Sequence, residues 1–556
     1  MADTRVRPLL VGLLLVAAPR AVAAQCDGRI VSAIAITPHD PSFLHVPRSL
    51  RAVARGVGLE HTTTKADVIR RFLLLDVGRP CTAIQVAESQ RILRLQPFLA
   101  GATVRAVPDS VGGVRIEVQT LDEIPTVFSM HLRRWRPAAV LFGNGNVGGQ
   151  ALYAAALVEG RSGYRTGAGL QVVAYQAFGR PYTLAFVAHR APLGSTLTLA
   201  LGHPFFTDLQ RTAWHVGYST VNAYASFVRP DTGPVAFGVV RRFADIGRVL
   251  RIGVGQRVGF LGGLVTYARV TPAAQAVVIS DSGLVADTSA PIGGPFARYQ
   301  HARLNAVVGV RTLSFLEVRG FDALAAVQDA ARGVQFGAIA GRGNDTFLAA
   351  DFYAGLGSAR SFAGLRVEGE ARHDPGAHRW DSMVASGRLA WYVKPSDAHV
   401  VIASGEFSGG WRLRIPFQLA LGALSGGVRG YHDSRVVGAV RSVARIEERW
   451  SFGQLTRHVG LGLASFADAG MVWPGAAPFG VRSGVKAGVG AGLLVAVPPQ
   501  SKRLWRLDVA VPVSPDAHAR WEIRLTSVWV GGFWSEPRDV ARARAGAAPS
   551  LIFTWP

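Results

Sequence analysis

Residues Val440 to Trp450 read VRSVARIEERW, and the character of the side chains alternates along this stretch. The charged side chains on odd positions are Arg441, Arg445, Glu447 and Arg449. The even positions are mostly apolar, with Glu448 as the exception. Because successive side chains of a β-strand point to opposite faces, the stretch predicts a strand with one charged face and one apolar face. Strands of this kind, repeated, are typical of a membrane barrel with a polar interior and an apolar outer surface.

The segments that follow alternate in the same way. From Leu461 to Trp473 the odd positions are mostly apolar, and the even positions hold small residues and Asp468. From Trp505 to Val513, leucine and valine alternate with Arg506 and Asp508. A soluble β-sandwich also alternates, because each of its sheets has one wet face, so the pattern alone leaves that fold open. The many short segments after residue 125, separated by Gly, Pro, Asn and Asp, favour a barrel.

A glycine-rich stretch precedes these strands. Residues Ser425 to Tyr431 read SGGVRGY and place Arg429 among glycines that allow a tight turn. In a surface turn this arginine would simply be solvated. If the turn points into a barrel, the guanidinium needs a carboxylate, because a desolvated charge is costly unless it is paired. Asp468, in the sequence FADAG, is the candidate partner.

The composition also favours a membrane barrel. Of the 556 residues, 49% are hydrophobic. Even so, we find no apolar run of about 20 residues of the kind that a membrane helix needs. The net charge of +23 comes from arginine, since lysine occurs only at positions 65, 394, 486 and 502. The arginines are scattered rather than clustered in a stripe, which argues against a nucleic-acid partner and favours a polar lumen or anionic lipid.

The first 24 residues are typical of a secretory signal peptide. Two arginines precede a short apolar core, and small residues follow it. The protein is therefore expected to leave the cytoplasm, where Cys26 and Cys81 meet oxidising conditions that favour a disulfide. Two separately buried thiols are the alternative. A zinc site is excluded, since two cysteines without matched histidines do not close a tetrahedral site.

Residues 25–124 predict a small α/β domain. A strand is expected around Ile30 to Ile36, followed by helices over 65–75 and 82–96. Alternation then predicts strands over 102–106 and 114–118. The resulting order is β-α-α-β-β, and the segment 38–61 is an insertion that carries no assignment.

This domain resembles a POTRA domain, the periplasmic module of the BamA/TamA-type outer-membrane protein superfamily. The resemblance lies in TAIQVAESQRILRLQPF at residues 82–98 and ATVRAVPDSVGGVRIEVQTLDE at residues 102–123. The later motifs resemble the barrel of the same superfamily. Its loop motif Val-Arg-Gly-Tyr/Phe is matched by Val428, Arg429, Gly430 and Tyr431, its Phe-x-Asp-x-Gly motif by Asp468, and its inward glutamate and arginine by Glu447 and Arg449.

The resemblance implies an all-β transmembrane barrel of sixteen antiparallel strands over residues 125–556, behind one α/β POTRA domain. It implies a salt bridge between Arg429 and Asp468 that locks the sixth extracellular loop inside the lumen, supported by Glu447 and Arg449. The end of the chain, Leu551 to Pro556, is similar to the terminal strand by which such barrels are recognised for insertion, although its final proline departs from that pattern.

The implied function is insertion of proteins into the bacterial outer membrane, or translocation of proteins across it. The POTRA domain, in the periplasm, would recruit an unfolded client polypeptide by adding a strand to a sheet edge formed by residues 98–107 or 114–120. Outer-membrane lipid, lipopolysaccharide and periplasmic accessory proteins are the other expected partners. No cofactor, metal, catalytic residue or enzymatic activity is expected.

Two other functions remain open from the sequence. A passive pore or a surface-binding barrel could use the same scaffold, because a fold does not determine a function. An outer-membrane hydrolase could draw a Ser/His pair from separate strands, although no G-x-S-x-G or H-E-x-x-H motif occurs. Gly143 to Gly148 fit G-x-G-x-x-G, but a dinucleotide site would need a βαβ unit around them.

Overall fold

The structure is a computed structural model. It describes residues 26, 28–41, 62–110, 112–133, 136–160, 163–229, 234–254, 257–288, 296, 298–415, 417–422, 426–431, 435–514 and 520–544. The predicted signal segment 1–24, the stretch 42–61 of the predicted insertion and the expected terminal strand 551–556 lie outside these residues. Within the described ranges, no helix combines the length and the apolarity that a membrane crossing requires.

A three-stranded sheet and two helices form a small domain at the start of the described chain. In chain order they are β1 Val31–His39, α1 Ala66–Arg70, α2 Ala83–Leu95, β2 Leu99–Pro108 and β3 Val114–Asp122. Strand β3 lies between the other two, parallel to β1 and antiparallel to β2. The expectation that residues 114–120 form a sheet edge is therefore wrong, because β3 is paired on both sides and the edges are β1 and β2.

The helices follow from local hydrogen bonds. Helix α2 begins where expected, because Thr82 Oγ1 accepts the Gln85 backbone N–H at 3.3 Å and Gln85 Oε1 accepts the Thr82 N–H at 2.9 Å. Helix α1 ends at Arg70, although helix was predicted to residue 75. Its continuation is interrupted because Leu74 donates its N–H to Ser89 Oγ of α2, at 2.9 Å, instead of to a carbonyl of its own helix.

A disulfide joins Cys26 to Cys81 and ties the chain before β1 to the residue just before the cap of α2. Both cysteines are fully buried in the domain core, together with Val68, Ile69 and Leu93. The structure therefore contains the cross-link and not the alternative of two separate thiols.

The rest of the described chain is dominated by long antiparallel strands. In chain order they are β4 Thr126–Arg133, β5 Arg136–Asn144, β6 Leu152–Glu159, β7 Gly167–Ala177, β8 Tyr182–Ala191, β9 Gly194–His203, β10 Thr212–Phe227, β11 Val235–Val254, β12 Arg257–Ile279, β13 Leu284–Asp287, β14 Tyr299–Arg319, β15 Val327–Gly343, β16 Thr346–Gly357, β17 Ser361–Asp374, β18 Arg379–Ser396, β19 His399–Trp411, β20 Leu419–Ala420, β21 Val437–Gly438, β22 Val440–Thr456, β23 Val459–Trp473, β24 Lys486–Ala496, β25 Arg503–Pro512 and β26 Glu522–Trp529.

These strands, except β20 and β21, follow one another in a closed barrel in which β26 and β4 are neighbours. The short strand β13 pairs only with one end of β12, which also pairs with β14. Among the residues described, twenty strands form the wall of the barrel, since β12 pairs directly with β14, and this number exceeds the sixteen that the resemblance implies. Strands β4 to β9 are only 8 to 11 residues long. A given length of chain therefore forms more strands there than it would with longer strands.

The barrel is polar inside and apolar outside. In β14 the residues His301, Arg303 and Asn305 are buried, whereas the intervening Leu304 and the later Val310 are 69% and 59% exposed. Three of the largest fully buried side chains of the described protein are arginines: Arg311, Arg388 and Arg441. Each of these arginines is paired with a carboxylate, of Asp208, Glu368 and Glu406 respectively, whereas many leucines and valines are exposed on the outer face. This arrangement is the one that a hydrocarbon surrounding selects.

Two segments enter the lumen. Because β4 follows directly on the small domain, the strands alternate between a near mouth, beside the domain, and a far mouth. The loop 412–439, which contains β20 and β21, leaves β19 at the far mouth. The chain after β26 starts at the near mouth and turns into the lumen. It forms a 3₁₀ turn at Gly532–Trp534 and the helix α3 Arg538–Ala543.

Candidate functional site

The described residues of the loop 412–439, which are 412–415, 417–422, 426–431 and 435–439, fold back into the barrel, and most of them are buried there. Val428 and Tyr431 are fully buried and pack with Leu421 of the same loop and with Val443 and Val472 of β22 and β23. The Tyr431 hydroxyl donates to the backbone oxygens of Ala487 and Ser514. A packed tyrosine bonded to two separate parts of the barrel holds this turn in one position.

Glycine is required in the turn because the backbone approaches its neighbours closely. A Cβ atom at Gly427 would lie 2.0 Å from the Leu421 carbonyl oxygen and 2.3 Å from that of Gly422. Gly430 has φ +92°, in the left-handed region that other residues rarely adopt. The two glycines therefore deliver Arg429 to a place that a bulkier turn could not reach.

Arg429 makes a two-pronged contact with Asp468. Its Nε and Nη2 lie 2.7 Å from Asp468 Oδ2 and Oδ1, and its backbone N–H donates to Oδ2 at 3.1 Å. The side chain of Asp468 is 0% exposed. The guanidinium also lies over the ring of Phe466, 3.4 Å from its centroid. The structure thus brings together the residues of the two motifs, with the planar geometry that arginine and carboxylate favour.

Glu447 is the centre of a larger network. Its carboxylate accepts from Arg429 Nη1 at 3.0 Å, from Arg449 Nε at 2.5 Å and from Arg506 Nη1 at 2.7 Å. Arg506 also donates to Asp508 at 3.1 Å. Three arginines therefore meet three carboxylates, those of Glu447, Asp468 and Asp508, so the formal charges of the buried group balance. Removing any one of these side chains would leave a buried charge without compensation.

Three members of the site were not nominated from the sequence. Arg506 and Asp508 lie on the charged face of an alternating segment, which was the available signal, but alternation does not show which strands meet in the lumen. Glu522 accepts the backbone N–H of Gly430 at 2.8 Å, and no motif marks it. All three come from β25 and β26, far along the chain from Arg429.

Other arginines hold the loop through its backbone. Arg445 Nη2 donates to the carbonyl oxygens of Gly426, at 2.5 Å, and Gly427, at 3.1 Å. Arg441 Nη1 donates to the carbonyl oxygen of Ala420 at 2.9 Å. Both arginines lie on β22, the strand quoted at the start, so the charged face of that strand is the surface on which the loop lies.

The network extends toward the near mouth. Arg449 Nη1 donates to the carbonyl oxygens of Phe321 and Asp322, at 3.0 and 3.3 Å, in the turn between β14 and β15. A chain of direct contacts thus runs from Arg429 through Glu447 and Arg449 to a turn at the opposite end of the barrel.

The small domain is fastened to the near mouth by the end of α2. Arg94 donates to Asp329 through Nε at 3.0 Å and Nη2 at 2.6 Å, and to Glu317 at 2.8 Å. Lys502, in the turn before β25, donates from Nζ to the carbonyl oxygens of Arg94 at 2.9 Å and Gln96 at 2.6 Å. A cation at this position complements the negative end of the helix dipole.

The environment of Lys502 is strongly desolvated. Burial lowers the pKa of its ammonium group to about 8, against an opposing attraction from Glu123. Burial likewise raises the pKa of Glu123, whose carboxylate accepts the Lys502 backbone N–H at 2.7 Å and the Ser501 hydroxyl at 2.8 Å. The junction between domain and barrel is therefore a buried polar contact and not a loose tether.

The structure gives no support to a nucleotide site at Gly143 to Gly148. The first two of these residues end β5, a 3₁₀ turn follows at Val147–Gly149, and the chain continues into β6. A helix, which the βαβ unit would require, does not follow. Among the described residues, no three His, Cys, Asp or Glu side chains gather in a way that could hold a metal ion.

Comparison with known proteins finds likeness only among solved structures. No family model and no curated protein matches the sequence. BamA from Haemophilus ducreyi lacking POTRA domains 1–3 matches over 90% of this chain and 84% of its own, at 13% identity and a TM-score of 0.37. CdiB from Escherichia coli matches over 90% and 75%, at 12% identity and a TM-score of 0.46. CdiB from Acinetobacter baumannii matches over 89% and 72%, at 12% identity and a TM-score of 0.38.

Proposed function

We propose that this protein is an outer-membrane barrel of the BamA/TamA type that inserts proteins into the bacterial outer membrane or translocates polypeptide across it. The single observation that carries the proposal is the buried contact of Arg429 with Asp468 and Glu447, beneath a loop folded into the lumen. In this proposal the contact is a lock: it keeps the loop inside the barrel until a client polypeptide arrives.

The small domain would be a periplasmic POTRA module that presents the client to the near mouth. Its β-α-α-β-β order and its central β3 support this reading. Strand addition needs an unpaired edge. In β2 the N–H of Val104 already donates to Gln90 Oε1 at 2.9 Å, whereas β1 is bonded at its start through both its N–H and its carbonyl groups. The start of β1 is already covered, because the N–H of Val31 donates to Arg79 and the N–H of Gly78 donates to Val31. We therefore assign client recruitment to the β2 edge, with lipid, lipopolysaccharide and accessory proteins as further partners.

Single-channel conductance in planar bilayers tests the lock. The protein would be compared as wild type, Arg429→Ala and Asp468→Ala. A matched control is Arg303→Ala, which removes another buried lumen arginine, paired with Asp345 and outside the network around Arg429. We expect a mostly closed wild type, the two lock variants open in the same way, and a control that behaves like wild type.

The alternative of a passive pore gives a different record. A wide, steadily open wild type, indifferent to both lock variants, would overturn the proposed translocator and favour a pore. Delivery of an unfolded client into proteoliposomes provides the second readout, since a pore passes solute without any client.

A further inference from the structure

The chain after β26 crosses the lumen. We name residues Gly531 to Arg544 the tail segment. At its start Gly531 has φ +74° and donates its N–H to Asp322 Oδ2, at 3.0 Å, in the near-mouth turn. Further on, Asp539 reaches Arg441, at the far-mouth end of β22. The tail segment therefore spans most of the distance between the two mouths, inside the barrel.

The first part of the tail segment places an aromatic side chain against the wall. The Trp534 ring lies edge-on to the ring of Tyr353, with centroids 6.0 Å apart and planes at 82°. A Cβ atom at Gly364 would lie 2.7 Å from the indole, so glycine at that position leaves the room that the ring fills. Arg366 Nη1 reaches the Trp534 carbonyl oxygen at 3.4 Å, which is a contact with the main chain and not with the side chain.

The second part places carboxylates on the barrel. Asp539 accepts from Arg441 Nη1 at 2.6 Å, and Glu536 accepts from the Ser386 hydroxyl at 3.3 Å. Val540, which follows Asp539, is 0% exposed and packs with Leu413 of the inward loop and with the apolar neighbours of Leu413. The groove thus offers, in order, an aromatic slot, a hydroxyl, an arginine and an apolar patch.

The loop and the tail segment share one arginine. The same Arg441 Nη1 donates to Asp539 and to the carbonyl oxygen of Ala420 in the loop, while Nη2 donates to Glu406 at 3.2 Å. The start of the tail segment is in turn joined to the lock, because Asp322, which binds Gly531, also accepts from Arg449. Asp539 of the tail segment therefore shares an arginine with the loop, and Gly531 is connected to the lock indirectly, through Asp322 and Arg449.

A cavity opens beside the aromatic slot. It has a volume of about 770 Å³ and is bounded by Trp534 and Ser535 of the tail segment and by Arg94 and Gln96 at the end of α2. The cavity lies between the end of α2 and the aromatic slot, on the side from which the small domain would deliver a client.

We propose that the groove holding the tail segment is a polypeptide-binding site, and that the tail segment occupies it as a tethered substitute for the client. The ligand class is a peptide with a bulky aromatic residue followed, five residues later, by a carboxylate and then an apolar residue. Contacts to main-chain atoms at Gly531 and Trp534 favour a peptide over other anionic ligands. This inference rests on the proposed function, since a translocated client would take the place of the tail segment.

Binding of the free tail peptide tests this site directly. The probe is a fluorescently labelled synthetic peptide, GGFWSEPRDVARAR, which copies residues 531–544, and the measurement is fluorescence anisotropy with the full chain in detergent. In the double variant Trp534→Ala, Asp539→Asn the tethered segment is weakened. We expect this variant to bind the peptide at least about tenfold more tightly than the wild type, because losing a desolvated charge pair costs a bound segment more than that factor.

Three comparisons make the result specific. Adding Arg441→Gln to the double variant is expected to abolish the gain, whereas adding the matched lumen change Arg303→Gln is expected to preserve it. A peptide of scrambled sequence is expected to bind weakly to every variant. If the double variant does not fold, Asp539→Asn alone removes one charge at nearly constant size and is expected to give a smaller gain in the same direction.

The outcomes separate this inference from the proposed function. If the double variant binds the tail peptide no more tightly than it binds the scrambled peptide, the groove is not a peptide-binding site. This conclusion holds whatever conductance Arg429→Ala shows. The other outcome is saturable peptide binding that depends on Arg441, in a protein whose conductance is the same in the wild type and the lock variants. This outcome supports the peptide-binding groove and contradicts the proposed translocation function.

Discussion

At the scale of the residue, the lumen depends on a few carboxylates that each serve several arginines. Glu447 accepts from Arg429, Arg449 and Arg506. The motifs and the alternation in the sequence are enough to nominate Arg429, Asp468, Glu447 and Arg449. They are not enough to nominate Arg506, because a period of two shows which face a residue is on but not which strand lies across the lumen.

Glu447→Gln is expected to destabilise the barrel more than the loss of any one of its arginines. The substitution keeps the size of the side chain but leaves three positive charges near one another with too few carboxylates. Breaking a buried pair in this way costs about 3–5 kcal/mol. Urea unfolding of the refolded protein in detergent measures the loss, with Glu448→Gln, on the opposite face of β22, as the control. Equal stabilities for the two variants would contradict the central role of Glu447.

Lys502 predicts a pH dependence with a definite sign. Its pKa falls to about 8 in the folded protein from 10.5, the ordinary value. The unfolded chain therefore binds more protons between these two values, and stability rises as the pH increases from about 8 to about 10.5. Below pH 8 the cost of burying the charge is present in full.

The measurement is the difference between the wild type and Lys502→Met in thermal unfolding across pH 7–11, because the difference removes contributions from other groups. We expect the wild type to gain stability relative to the variant as the pH rises. If the difference in stability between the wild type and Lys502→Met stays constant with pH, or if the wild type loses stability relative to the variant as the pH rises, the ammonium group is not desolvated as described.

At the scale of the element, the decisive structures are the turn that carries Arg429 and the strand β22 on which it lies. The strand could be predicted from VRSVARIEERW, because its charges repeat with the period of a strand. The early end of α1 could not, since Leu74 is drawn away by Ser89, fifteen residues later. The central position of β3 could not either, because local pattern does not encode the order of strands in a sheet.

Gly427→Ala is expected to dislodge the turn. The added methyl group would meet two backbone carbonyl oxygens that cannot move independently. The expected result is a conductance record like that of Arg429→Ala, because Arg429 would leave Asp468 without itself being changed. Gly405→Ala, in β19, is the control, since nothing lies within 4 Å of the position of its Cβ atom. A closed channel in Gly427→Ala would contradict the fit of this turn.

At the scale of the whole molecule, the protein is inverted relative to a water-soluble one: leucine and valine face outward and arginine faces the lumen. The sequence could predict this inversion, because charges lie on one face of several strands, such as β22 and β25. It could not predict the number of strands, which depends on strand length and curvature around the barrel. Nor could it predict that the chain after the last strand turns inward, since the contact of Asp539 with Arg441 joins residues 98 positions apart.

Val310→Arg tests the outward apolar surface. Val310 lies near the middle of β14 and faces outward, so a charge there would meet hydrocarbon, at a cost of about 2–4 kcal/mol. The variant is expected to lose stability in lipid bilayers but much less in detergent. Ile84→Arg, at an exposed apolar position of the small domain, is expected to change neither. Equal effects at both positions would argue against a membrane belt.

The fastening of α2 to the near mouth has a consequence for biogenesis. The tail segment follows the last strand and starts at the same mouth that Arg94 and Lys502 bind to the domain. The seated domain therefore narrows the opening from which the tail segment starts, while the cavity between α2 and Trp534 remains. We therefore expect the tail segment to enter the lumen more readily before the domain docks than after it, although the ribosome makes the domain first.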